Sequence, residues 1–106
     1  MRIILIDTYS GFIWGDSADL NGKVFCGTPQ EYAAALDESL GTPLENNEQY
    51  VSTRTLGGSE GYAVYRADVD GSEAVPVVLD GQARETIETV ERDCQFLGYL
   101  IRSSAQ

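Results

Sequence analysis

Four consecutive apolar residues, Ile3 to Ile6, stand near the start of the chain, and three of them are β-branched. A strand that is apolar on both faces needs cover on both faces, so this run predicts a central strand of a sheet. A turn signal follows at Tyr9-Ser10-Gly11, and Phe12-Ile13-Trp14 predicts a second strand that pairs with the first as a hairpin. The run is far shorter than a signal-peptide core or a membrane span, which favours a cytoplasmic protein without membrane contact.

The best-marked helix begins after Thr28. Thr28-Pro29-Gln30-Glu31 forms a capping box with proline at the first helical position. Apolar residues then recur every four positions, and Gly41 supplies a C-terminal stop. The spacing predicts a helix over 29–40, with a buried stripe formed by Tyr32, Leu36 and Leu40.

A second apolar seam runs through the C-terminal region with alternating steps of four and three residues. Steps of this kind are typical of one face of an α-helix, and they predict a helix from about residue 82 to 101. Cys94 falls on the seam, where we expect a buried, reduced thiol. The seam consists of Ala83, Ile87, Val90, Cys94, Leu97 and Ile101.

The remaining apolar segments predict strands, and the Asp70-Gly71 pair between two of them predicts a hairpin turn. Together the elements predict an α+β fold, in which a single, mostly antiparallel sheet carries two helices packed on one face. One globular domain over 1–106 accommodates all of them. The predicted strands are 23–26, 50–56, 61–69 and 75–79.

The charge balance excludes several function classes. Seventeen acidic residues face seven basic ones, there is no histidine, and the net charge is −10. A phosphate backbone would repel such a surface, so we expect no direct binding to nucleic acid. Mechanisms that need an imidazole are also excluded, and Cys26 and Cys94 lack the spacing of a metal site.

Two segments resemble ligand-binding loops only in part. Asp68-Val69-Asp70-Gly71 begins like a calcium loop, but the twelfth position, which should be glutamate, is Leu79. The glycine-rich segment 57–61 has no lysine at its end and carries Glu60, so it does not fit a phosphate cradle. The sequence therefore predicts no metal and no cofactor. Asp7, at the end of the first strand, is expected to cap the following turn.

The distribution of charge is the most unusual feature of the sequence. Between Lys23 and Arg54 the chain has five acids and no base, and a similar stretch lies between Arg66 and Arg84. Carboxylates on a rigid scaffold can occupy the lysine and arginine sites of a basic protein. The alternative is a solvated surface that keeps the protein soluble. The predicted partner-binding acids are Glu31, Glu38, Glu45, Glu48, Asp68 and Glu73.

A second candidate surface is aromatic, because strand alternation places Phe12 and Trp14 on one face.

These features predict a small acidic interaction module, without enzymatic activity, that binds a basic protein surface. In size and charge the chain is similar to phage- and plasmid-borne inhibitors such as anti-CRISPR and anti-restriction proteins, which compete with nucleic acid; no functional residue transfers from that similarity. A small-ligand-binding protein or a carboxylate-dependent enzyme is an alternative, and a deep pocket with a buried carboxylate would favour it. Its candidate groups are Asp7, Tyr9, Tyr62 and Tyr65. A self-associating domain, such as a homodimer, is a further alternative, and an open sheet edge would favour it.

Overall fold

The computed structural model describes residues 2–18, 27–68 and 84–104. The strands and helices of these residues follow the chain in this order: β1 (Ile3–Asp7), β2 (Ile13–Asp16), α1 (Pro29–Ser39), β3 (Glu48–Thr53), β4 (Gly61–Arg66), α2 (Arg84–Asp93) and β5 (Gln95–Ser104). The predicted strands 23–26 and 75–79, the Asp70-Gly71 hairpin and Cys26 lie outside the described residues.

The described strands form one sheet in the order β2-β1-β4-β5-β3, and every neighbouring pair is antiparallel. The predicted α+β class and the single antiparallel sheet are therefore confirmed. The predicted hairpin of β1 and β2 is also present, and a bidentate ion pair joins its open end. Arg2 donates through Nε and Nη2 to the two carboxylate oxygens of Asp16, at 3.0 and 2.6 Å.

The expected packing of both helices on one face is wrong. Every residue of β1 is buried, and alternate side chains point to opposite faces of the sheet. Ile3 and Leu5 belong to the hydrophobic cluster that contains Ala33 of α1. Ile4 and Ile6 belong to a separate cluster, which contains Val90 of α2. The doubly apolar first strand is therefore covered by one helix on each side.

Helix α1 begins with the predicted capping box. Glu31 N–H donates to Thr28 Oγ1 at 3.1 Å, and Thr28 N–H donates to the Glu31 carboxylate at 3.3 Å. The predicted stripe is wrong at its C-terminal end, because Leu40 is 52% exposed while Asp37 is buried. Helix α1 lies close to β2 because position 15 is glycine. A Cβ there would be 2.7 Å from the Tyr32 hydroxyl and 2.8 Å from Leu36 Cδ2.

The predicted C-terminal helix is too long. Helix α2 ends at Asp93, and the residues from Gln95 onward form β5, which pairs with both β3 and β4. Within β5, Gly98 has a φ of 108°, and a Cβ there would be 3.0 Å from the carbonyl oxygen of Thr53. The seam is confirmed from Ile87 to Cys94, which is a free, buried thiol, whereas its first member, Ala83, lies outside the described residues. Beyond Cys94, Leu97 is 36% exposed at an irregularity in the pairing of β4 and β5.

No helix in residues 2–18, 27–68 and 84–104 is both long and apolar enough to span a bilayer.

The correction in β5 can be tested by two leucine truncations three residues apart. Leu100 is 1% exposed in the centre of the sheet, so Leu100→Ala should lower the free energy of unfolding by about 2–5 kcal/mol. Leu97→Ala removes the same atoms from a partly exposed position, and the loss should be under about 1 kcal/mol. Urea denaturation measures both. Equal losses would contradict the assignment of β5.

Candidate functional site

The structure does not gather the predicted acidic residues into one patch. Glu31 and Glu38 are exposed on α1, and Glu45 is exposed just before β3, where Glu48 is half-buried. Asp68 lies beyond the end of β4, whereas Glu45 and Glu48 lie at the end of the sheet where β4 begins. Glu73 lies outside the described residues.

Several of these carboxylates already have intramolecular roles. Glu31 accepts the capping hydrogen bonds of α1, and Asp68 forms an ion pair with Arg66 at 2.7 Å. The Glu48 carboxylate accepts a hydrogen bond from Glu45 N–H at 2.9 Å. A charge reversal at Glu31 would therefore lower the stability of the helix as well as change the surface charge.

The aromatic candidates follow the predicted alternation. Ile13 is buried in the core, while Phe12 and Trp14 on either side of it are exposed. Trp14 is 46% exposed, and its ring contacts Tyr62 edge-on with a centroid separation of 6.1 Å. Tyr62 is buried, so it holds one side of the indole in place while the other side remains open to solvent.

A buried carboxylate, Asp37, organises the neighbouring region. Asp37 is 3% exposed and accepts hydrogen bonds from the hydroxyls of Tyr50 and Tyr62, the latter at 2.5 Å. Arg102 Nη2 donates to the same carboxylate at 2.9 Å. These three donors come from β3, β4 and β5, so the cluster ties α1 to three strands of the sheet.

Arg102 also reaches the segment that follows α1. Its guanidinium donates to the carbonyl of Thr42 and lies 3.5 Å from the carbonyl of Pro43. It contacts the Glu48 carboxylate at 3.5 Å and stands 5.9 Å from the centre of the Tyr50 ring. The positive charge of Arg102 is thus matched within the molecule, chiefly by Asp37.

The tyrosines of this region are held in the protonated form. Burial, and then the hydrogen bond to Asp37, raise the pKa of Tyr50 to about 12. The same causes raise the pKa of Tyr62 further. Both phenols therefore act as hydrogen-bond donors at neutral pH, and neither is prepared to act as a nucleophile or base.

Two depressions in the surface meet at Trp14. The polar cleft has a volume of about 260 Å³, and the apolar groove has a volume of about 430 Å³. The lining of the polar cleft includes Asp7, Trp14, Asp37, Glu60, Tyr62 and Arg102. The apolar groove is lined by Ile13, Trp14, Leu40 and Thr42.

Asp7 has the predicted capping role and also faces the polar cleft. Its Oδ2 accepts hydrogen bonds from Ser10 N–H at 2.8 Å and from the Ser10 hydroxyl at 2.7 Å. Of the other candidate groups for ligand chemistry, Tyr62 lines the cleft, Tyr9 is exposed in the turn, and Tyr65 packs with the cluster on the opposite face. Of these four groups, the structure thus brings Asp7 and Tyr62 together at the polar cleft.

Asp37, Glu60 and Arg102 were not predicted as site residues. Asp37 does follow Ala33 by four residues, which places it on the buried side of α1. The predicted helix ends at about residue 101, just before Arg102, so the place of Arg102 opposite Tyr50 in a β-ladder could not be foreseen. Among the described residues, no three histidine, cysteine or acidic side chains are grouped so that they could hold a metal ion.

No protein-family model, curated protein or solved structure matches this chain.

The raised tyrosine pKa values predict a loss of stability at alkaline pH. Tyr50 and Tyr32 have a pKa of about 12 in the folded chain, against about 10 in an unfolded one. A group whose pKa is raised by folding stabilises the protein below its unfolded pKa, and this stabilisation is lost as the pH rises from about 10 through about 12. Urea unfolding across this range should show the fall, and Tyr50→Phe should reduce its steepness. A free energy of unfolding that stays constant from pH 9 to 12 would contradict this prediction.

Proposed function

We propose that this protein is a small acidic interaction module that binds a basic segment of a protein partner at Trp14. The observation that carries the proposal is the position of Trp14, which is nearly half exposed at the junction of the polar cleft and the apolar groove. Tryptophan is enriched among the residues that dominate binding energy, especially where a pocket adjoins it. Its amphipathic ring suits a surface that is apolar on one side and polar on the other.

The charge of the polar cleft favours a cationic side chain. Glu60 is exposed at the cleft, and Asp7 lines it as well. Arg102, the cation in the lining, is 2.9 Å from Asp37 and is matched by it. A partner's lysine or arginine could lay its aliphatic stem along the indole and direct its charge toward Glu60. The net charge of −10 would attract such a partner from a distance.

The apolar groove supports an apolar residue next to the basic one. Ile13 and Leu40 line it together with Trp14, and Leu40 is more than half exposed. An exposed leucine beside an exposed tryptophan leaves apolar area that a partner's aliphatic side chain would remove from water. The favoured partner is therefore a segment in which basic and aliphatic residues alternate.

The chemistry of the Asp37 cluster supports binding over carboxylate catalysis. Its carboxylate accepts three hydrogen bonds, and its tyrosines stay protonated at neutral pH. A general base must come within hydrogen-bond reach of the proton that it removes, whereas the Asp37 carboxylate is 3% exposed and already held by three donors. The cluster instead gives the cleft a fixed shape, which lowers the entropy cost of binding. The free thiol of Cys94 supports the cytoplasmic location that we propose for the module.

Trp14 is the single tryptophan of the chain, so its fluorescence reports directly on the proposed surface. A peptide of alternating arginine and leucine should change the emission of the folded protein, and a glutamate–leucine peptide should not. Glu60→Lys should weaken binding of the basic peptide by at least about fivefold, because it inverts a charge at the cleft.

The matched control is Glu85→Lys, which makes the same change in net charge on α2, the helix on the opposite face of the sheet. It should reduce affinity much less than Glu60→Lys does. Equal effects of the two reversals would show that only overall charge matters. The absence of any fluorescence change with the basic peptide would overturn the proposal.

A further inference from the structure

Among the described strands, β3 lies at one edge of the sheet. Within the described part of the chain it pairs on one side only, with β5, along all six of its residues. The outward-facing backbone N–H and C=O groups of such a strand are a template for pairing with another strand. This edge strand is also longer than β2, the strand at the other edge of the described sheet, which has four residues.

The β3 edge lacks the features that usually prevent edge pairing. It contains no proline and no lysine, and its register with β5 is uninterrupted from Glu48 to Thr53. The pairing of β2 with β1, by contrast, is broken by a bulge between Leu5 and Ile6. Val51, in the middle of β3, presents an exposed apolar side chain. A regular edge with an exposed apolar side chain at its middle favours association through β-pairing.

We propose that β3 pairs with β3 of a second copy of this chain, antiparallel and centred on Val51. In this register the two Val51 residues face each other, and each Glu48 lies opposite Arg54 of the other copy. Opposed residues of an antiparallel pair lie on the same face, within reach of each other. The two sheets would become one continuous sheet across a two-fold axis.

The charges of the edge select this register. Glu48 is the acidic residue of β3, and Arg54 directly follows the strand with an exposed side chain. Shifting the centre by one or two residues in either direction removes the Glu48–Arg54 contacts. The contact that Glu48 already makes with Arg102 is long, at 3.5 Å, and Arg102 is held mainly by Asp37 at 2.9 Å. The hydrogen bond from Glu45 N–H and the contact with Arg102 both use Oε1 of Glu48, so Oε2 can serve a second cation at the edge.

Sedimentation velocity on the full chain tests the proposal. The wild type should form a dimer whose population rises with salt, because each copy carries a net charge of −10 and salt screens the repulsion. Arg54→Glu should weaken the dimer by at least about tenfold, since it places like charges opposite each other. The double variant Glu48→Arg/Arg54→Glu should restore association. A chain that stays monomeric at high concentration and high salt would overturn the proposal.

Cysteine cross-linking tests the register independently of stability. In the proposed pairing Val51 faces its own copy, so Val51→Cys should form a symmetric disulfide under mild oxidation. Gln49→Cys lies on the same face of the strand but opposite Thr53, so it is the matched control and should cross-link far less. Equal cross-linking of the two variants would overturn the register. These measurements do not involve a basic peptide. The dimer can therefore be disproved while the function proposed for Trp14 stands, and that function can be disproved while the dimer stands.

Discussion

The buried carboxylate of Asp37 is the interaction on which the rest of this structure depends. Burying a charged carboxylate costs free energy unless it is paired and hydrogen-bonded. Asp37 is 3% exposed, and its carboxylate is stabilised by two tyrosine hydroxyls and one guanidinium. Because its partners lie on three adjacent strands, the carboxylate fixes where α1 sits on the sheet. Removing the carboxylate would take away the acceptor that both hydroxyls and the guanidinium share, which is why such clusters specify a single arrangement.

The surface beside Trp14 follows from that arrangement. Helix α1 brings Leu40 to the apolar groove, and Gly15 lets the helix approach β2 closely enough to complete it. Tyr62 both donates to Asp37 and supports the indole ring of Trp14. The exposed tryptophan is therefore held by the same residues that hold the helix, so the proposed binding surface is largely formed before any partner arrives.

Local signals in the sequence were sufficient for much of this fold, and interactions between distant residues account for what they missed. The capping box at Thr28 and the apolar run from Ile3 predicted α1 and β1, since caps and hydrophobic runs act over a few residues. The seam through Leu97 and Ile101 suggested a helix, yet Gly98 and the pairing of β5 with two strands override it. Asp37 could not be recognised as a buried site residue, because its partners are Tyr50, Tyr62 and Arg102, between 13 and 65 positions away.

The most direct test of the central role of Asp37 is a double-mutant cycle in urea denaturation. The cycle combines Asp37→Ala with Tyr62→Phe, and Glu38→Ala serves as the control for Asp37→Ala at the exposed neighbouring position. A central role of Asp37 predicts that Asp37 and Tyr62 are coupled by at least about 1 kcal/mol, whereas the effects of Glu38→Ala and Tyr62→Phe are additive within about 0.5 kcal/mol. Additive effects of Asp37→Ala and Tyr62→Phe would contradict it, since the hydroxyl and the carboxylate would then stabilise the fold independently.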